Sequence, residues 1–131
     1  MLSAVTLLVE DLEDALRWLT EVVGFGTPEE VVGMDGKRQY QLPAPGAGHP
    51  GLRLTEALTT RERVVAGNQF AGHVGLFVEV ADLTDLEQRL SHPSASRGST
   101  QRHAATEELP DRLLFRDPWG NRWCATQTSK P

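Results

Sequence analysis

The chain has 131 residues, 39% of them hydrophobic and 24% charged, which fits one globular domain over residues 1–131. Its 13 Lys and Arg against 18 Asp and Glu leave a formal net charge of -5. The basic residues are scattered, so no nucleic-acid partner is expected. No apolar run approaches the roughly 20 residues that span a bilayer, so no membrane partner is expected either. With no basic and apolar leader and a single cysteine, Cys124, a reducing, cytoplasmic location follows as the expectation.

Residues 1–9 are rich in Leu, Val and Thr and read as a strand. Asp11 then opens a segment in which Leu12, Ala15, Leu16, Leu19, Val22 and Val23 recur at helical spacing. Its carboxylate suits the N-cap, Asp14 favours the helix dipole, and Gly24 supplies the stop. Segments 29–34 and 37–42 flank Asp35-Gly36, a pair that suits a two-residue type I′ hairpin turn. Residues 43–51 read as a Pro/Gly loop, and 52–55 alternate Leu with polar residues like a half-buried strand. A polar connection over 57–72 leads to a strand over 73–80. Asp82 caps a second helix carrying Leu83, Leu86 and Leu90 on one face. Residues 91–101 are Ser-rich and polar, 103–106 read as a weak strand, and 112–116 with 122–127 form a hairpin around Asp117-Pro118-Trp119-Gly120-Asn121.

Both halves thus read β-α-β-β-β, and they match in sequence. Residues 4–10 lie over 73–79 without a gap, and a two-residue insertion, Val80-Ala81, then brings Asp11-Leu12 onto Asp82-Leu83 and 52–55 onto 123–126. An internal repeat is the economical reading. The expected fold is α+β: a first βαβββ module over 1–56, a linker over 57–72 and a second module over 73–131, forming a curved mixed sheet around a cleft.

Three stretches resemble a known family. Residues 6–12 lead into Ala15-Leu16-Arg17-Trp18-Leu19 and the closing Val23-Gly24-Phe25; Phe115-Arg116-Asp117-Pro118-Trp119-Gly120-Asn121-Arg122-Trp123 is similar to an Asp-Pro-x-Gly-Asn hairpin; and Gly67-Asn68-Gln69 precedes the fifth strand. Together they resemble the vicinal oxygen chelate superfamily of glyoxalase I, bleomycin-resistance proteins and extradiol dioxygenases, and within it a glyoxalase-like subgroup. The resemblance implies a binding cup and, in the enzymes, a divalent metal held by His and Glu side chains from the first, fourth, fifth and eighth strands. Carried over by motif, those positions are Ala4, Arg53, His73 and Cys124, and only His73 keeps the usual residue type. Ala4 cannot coordinate, and the Arg53 guanidinium is a fixed cation that repels a metal. No metal or other cofactor is therefore expected. The fallback ligand set is His73, Cys124 and Glu56, for which Glu56 needs a bulge to turn it to the face of Arg53.

The remaining candidates are ligand-binding residues. A His at the start of a strand is more often a hydrogen-bonded wall residue than a ligand, which makes His73 a pocket residue first and the best catalytic candidate second. Cys124, in a core strand, reads as a small apolar wall residue. Arg53 is suited either to clamp a carboxylate or to pair with an internal acid such as Glu56. One of Gln39 and Tyr40 must face the cup, Asn68 and Gln69 offer amides at its mouth, Trp119 suits its rim, and Trp123 reads as core. His49, His92 and His103 show no metal spacing and read as solvated.

The functional expectation is a homodimeric protein that binds a small organic molecule in the cup without a metal. Its rival is a lyase, isomerase or dioxygenase that uses a metal held by His73, Cys124 and Glu56, or His73 alone as general base. Glyoxalase I itself is the least favoured version. A third reading is an interaction subunit with a filled cleft.

Overall fold

The computed structural model describes residues 2–46 and 48–128. Met1, placed at the start of the first strand, Ala47, placed in the 43–51 loop, and residues 129–131 of the second module lie outside the described residues. The chain forms two compact units, residues 1–69 and residues 70–131. No described helix is long and apolar enough to cross a membrane.

In the first unit, β1 (Ala4–Val9), β2 (Glu29–Val32), β3 (Arg38–Ala44) and β4 (Gly48–Glu56) form a sheet in the order β1-β4-β3-β2, with β1 parallel to β4 and the other pairs antiparallel. Helix α1 (Leu12–Trp18) begins where the Asp11 carboxylate accepts the Asp14 N–H at 3.0 Å. The expected single helix to Val23 divides: after Trp18 the backbone widens into a π turn over Leu19–Val23, and the Gly24 N–H reaches back five residues to the Leu19 carbonyl at 2.9 Å. Gly24 ends it at φ +100°. The helix packs on β4 and buries Ala15, Trp18, Leu19 and Val23 with Leu7, Leu42, Leu52 and Leu54.

Two turns differ from the form expected of their sequence. Around Asp35-Gly36 the strands stop at Val32 and Arg38, and only Gly36 adopts a positive φ, so the turn is wider than type I′. The Asp35 carboxylate accepts the Lys37 N–H at 3.0 Å and holds Asp35 in the ordinary backbone region. The expected 43–51 loop is largely strand: β3 runs through Pro43, a bulge absorbs the proline between Leu42 and Ala44, and Ala44 pairs with Gly48. Gly51 makes this possible because a Cβ there would overlap the Leu42 carbonyl oxygen.

The 57–72 connection joins mostly to the first unit. The Ala57 N–H donates to the Val9 carbonyl at 2.7 Å, and a short helix, α2 (Thr60–Val65), follows. Hydrophobic periodicity does not reveal α2, because the helix buries no residue and so has no apolar stripe. Its signal is the Thr59-x-x-Glu62 capping box, in which Thr59 Oγ1 accepts the Glu62 N–H at 3.1 Å and Glu62 Oε1 accepts the Thr59 N–H at 3.0 Å. Those bonds hold the Glu62 carboxyl below its ordinary pKa.

The second unit repeats the plan. β5 (Val74–Val80), β6 (Gln101–His103), β7 (Arg112–Arg116) and β8 (Arg122–Gln127) form a sheet in the order β5-β8-β7-β6, and α3 (Leu83–Leu90) packs on β7 and β8 through Leu83, Leu86 and Leu90. Asp82 caps α3 by accepting the Asp85 N–H at 3.0 Å, as Asp11 does in α1. The weak strand lies at 101–103 and not at 103–106, with Arg102 anchored by Asp111 at 2.7 Å and Glu87 at 2.9 Å. The β7–β8 turn is built on Asp117, which is fully buried and accepts five hydrogen bonds. Three come from the backbone N–H groups of Trp119, Gly120 and Asn121, and two from Asn121 Nδ2 and Trp123 Nε1.

The repeat register also changes. In the first sheet Ala4 pairs with Gly51 and Thr6 with Arg53; in the second, Val74 pairs with Arg122 and Phe77 with Cys124. Val74, and not His73, therefore takes the place that Ala4 holds. A bulge at Gly75, over which the Phe70 ring packs, supplies the extra residue. The two-residue difference that the sequence places at Val80-Ala81 is taken up earlier, at the start of β5.

Candidate functional site

In each unit a helix covers one face of the sheet, and strand alternation assigns side chains to the other. In the first unit Leu52 and Leu54 point to the helix, so Arg53 and Thr55 stand on the uncovered face. Arg53 Nη2 donates to Gln41 Oε1 at 2.7 Å, and the two residues are register partners across β3 and β4. Thr55 Oγ1 is buried with no hydrogen-bond partner among the described residues. Of Gln39 and Tyr40, the face of Arg53 takes Gln39, which is two residues from Gln41 and whose amide lies over Gly33. Tyr40 pairs with Leu54 on the helix side, with the Arg38 guanidinium 5.4 Å from its ring centroid. Gln41 and Thr55 are additions made by the structure; in the sequence, a step of two from Gln39 and from Arg53 finds both.

Glu56 is paired with Val9, a buried residue on the helix side, and the β1–β4 ladder runs in register from Ala4 to Val9. The bulge that would bring Glu56 to the face of Arg53 is absent from that ladder, so Glu56 does not join Arg53 there. Asn68 is exposed in the connection. Gln69 supports the edge of the sheet, where its Oε1 accepts the Leu8 N–H at 2.9 Å and its Nε2 donates to the Thr6 carbonyl at 2.7 Å. The carboxamide stands in for a neighbouring strand along the outer edge of β1.

In the second unit Cys124 is flanked by Phe77 on β5 and Leu114 on β7. Together they make an apolar strip on the uncovered face, on which Phe77 is 73% exposed. Burial pushes the Cys124 thiol above its ordinary pKa, against the opposing pull of the Arg112 guanidinium. That thiol is neutral at pH 7 and is a wall group, not a nucleophile. Trp119 is half-buried in the β7–β8 turn, and Trp123 is core, stacked on Phe115 with ring centroids 6.0 Å apart. His103 differs from its solvated expectation: it lies on β6, and its Nε2 is buried without a hydrogen-bond partner among the described residues.

The residues do not fit a divalent metal of the kind the resemblance implies. His73 is exposed just ahead of β5, four residues before Phe77, the neighbour of Cys124. Counted across the Gly75 bulge, His73 lies one residue beyond the Val74–Arg122 pair, three steps of about 3.3 Å, or roughly 10 Å, along the sheet from the level of Cys124. Arg53 occupies the corresponding position of the first sheet and brings positive charge. Among the described residues, no group of three His, Cys, Asp or Glu is arranged to hold an ion.

The family model described as Glyoxalase/Bleomycin resistance protein/Dioxygenase superfamily matches residues 2–125. No curated protein matches the chain. Among solved structures, TnmS3, an antibiotic binding protein from Streptomyces sp. CB03234, is 25% identical with a TM-score of 0.71, covering 98% of this chain and 96% of that one. A glyoxalase/bleomycin resistance protein from the same organism is also 25% identical, with a TM-score of 0.69 and coverage of 97% and 100%. The fosfomycin resistance protein FosX from Listeria monocytogenes, at 15% identity and a TM-score of 0.62 over 96% and 90% of the two chains, shares the fold.

Proposed function

The chain belongs to the glyoxalase/bleomycin resistance protein/dioxygenase superfamily, and from that premise we propose that it binds a small organic molecule on its uncovered sheet faces without a metal. The observation that carries this reading is Phe77: a large aromatic side chain, 73% exposed in the body of a strand and continuous with Cys124 and Leu114, offers a platform for an apolar or aromatic ring. On the first sheet, Arg53 and its hydrogen-bond partner Gln41 are polar groups that a ligand on that face can meet. The antibiotic-binding role of TnmS3, which is similar over nearly its whole length, supports a sequestering protein over an enzyme. The metal-dependent rival lacks its ligand set, since Glu56 faces the helix side of its sheet and His73 stands apart from Cys124. A cytoplasmic homodimer remains part of the proposal, because short two-module chains leave sheet edges that pairing covers.

The test is a tryptophan-fluorescence titration of the full chain with a panel of aromatic and cationic compounds, repeated in EDTA. A saturable change that EDTA leaves intact, and that Phe77→Ala weakens by about tenfold, is the expected result. No saturable change across the panel, or binding lost in EDTA, overturns the reading.

A further inference from the structure

We infer that the second unit carries a binding site for a small oxyanion, formed by Arg97, Arg116 and Arg122. The three residues line one cavity of about 330 Å³ at the end of the sheet, where β7 runs into its turn and β8 leaves it. The volume lies at the lower end of the range for small-molecule sites. Arg116 and Arg122 are direct cross-strand partners, and like charges placed opposite each other destabilise a sheet. The segment before β6 brings in the third cation: the Arg97 N–H donates to the Arg116 carbonyl at 3.2 Å, which docks residues 97–99 over the strand ends.

Among the described residues no carboxylate lines the cavity, and none of the three arginines makes an ion pair. Arg97 Nη1 makes a long 3.4 Å contact to the Trp119 carbonyl, a neutral acceptor that leaves the charge uncompensated. This happens in a chain whose acids outnumber its bases, 18 to 13; Arg17, Arg38, Arg89 and Arg102 have carboxylate partners, and what sets Arg97, Arg116 and Arg122 apart from other unpaired arginines such as Arg61 and Arg63 is that they share one cavity. Three planar forks around one cavity suit an oxyanion that accepts several hydrogen bonds at once, such as a phosphate or a dicarboxylate, better than a monovalent halide. Ser99 and Gln101, which also line the cavity, add neutral polar groups. The site lies within residues 74–123; it shares Leu114 with the apolar strip and uses neither Phe77 nor Arg53.

Calorimetric titration of the full chain with inorganic pyrophosphate at low ionic strength tests the assignment. Saturable binding in the micromolar to millimolar range is expected, weakened by added salt because the charges are solvent-accessible. Arg116→Gln and Arg122→Gln should each weaken it by about tenfold, and Arg122→Lys by several-fold because the charge stays but the fork is lost. Arg63→Gln, which removes an equal charge from α2, should change it by less than about twofold. Phe77→Ala should leave it intact, so failure here is separable from failure of the small-molecule reading. Relief of the cross-strand repulsion should leave the ligand-free melting temperature of Arg116→Gln equal to or above that of the parent chain. Absence of saturation at millimolar pyrophosphate, or equal losses in Arg63→Gln and Arg122→Gln, overturns the proposal.

Discussion

Asp117 shows how one side chain sets a whole turn. Burial raises its carboxyl above the ordinary pKa while hydrogen bonds from Trp123, Asn121 and Trp119 oppose the rise, so the group is held by geometry as much as by charge. Asp117→Asn keeps one acceptor but turns an NH2 toward the donors on Asn121 and Trp123. Equilibrium urea unfolding should show a loss of about 2 kcal/mol with an unchanged m-value. Cys124 gives a second expectation at this scale. Because its thiol is buried and its pKa is raised, iodoacetamide should label the native chain slowly at pH 7 and rapidly in urea; equal rates in both states would contradict the placement.

Among the elements, the β3–β4 hairpin depends on a residue with no side chain. Gly51→Ala drives a methyl group into the Leu42 carbonyl, a backbone atom that cannot rotate away, and should cost about 2 to 4 kcal/mol in the same unfolding assay. The edge strand β6 depends on charge instead. Arg102 holds the Asp111 carboxyl below its ordinary value, so the tether is at full strength above the usual carboxylate range and is lost as the pH falls through the lowered folded value. Amide protection factors at residues 101–103, taken relative to intrinsic exchange at each pH, should therefore fall in acid before those of the β7–β8 amides do; a parallel fall of both would show that the tether does not hold the strand. The elements that the sequence pattern misses or misplaces share a cause. α2, the 43–51 stretch and β6 lack an apolar period, and their form rests on a capping box, a bulge and an ion-pair cluster that connect residues too specifically for periodicity to reveal.

For the whole molecule, an anion bound only by the native state stabilises it by mass action. At a hundredfold excess of pyrophosphate over its dissociation constant the gain is about 2.7 kcal/mol, read as a rise in melting temperature that the tenfold weaker Arg122→Gln should roughly halve at the same concentration. The two-module plan is legible in the chain: the helical spacing after Asp11, the alternation of 52–55, the helical spacing after Asp82 and the Asp-Pro-Trp-Gly-Asn turn all appear in the structure in that order. The repeat places Arg53 and Cys124 on the correct strands, and the alternation of Gln39 and Tyr40 poses a choice that the register of β3 against β4 decides.

The sequence by itself determined the elements that carry an apolar period, their repeated order and the family, because apolar period, capping residues and turn glycines are local properties of the chain. Only the tertiary structure decided the faces and the registers. The pairing of Val74 with Arg122 leaves His73 out of line with Ala4, Gln69 becomes a surrogate strand for β1, and Arg97 joins Arg116 and Arg122. Each of these outcomes joins residues distant in the chain or turns on a one-residue slip. A slip of that size carries a side chain to the other face of a sheet at no change in local pattern.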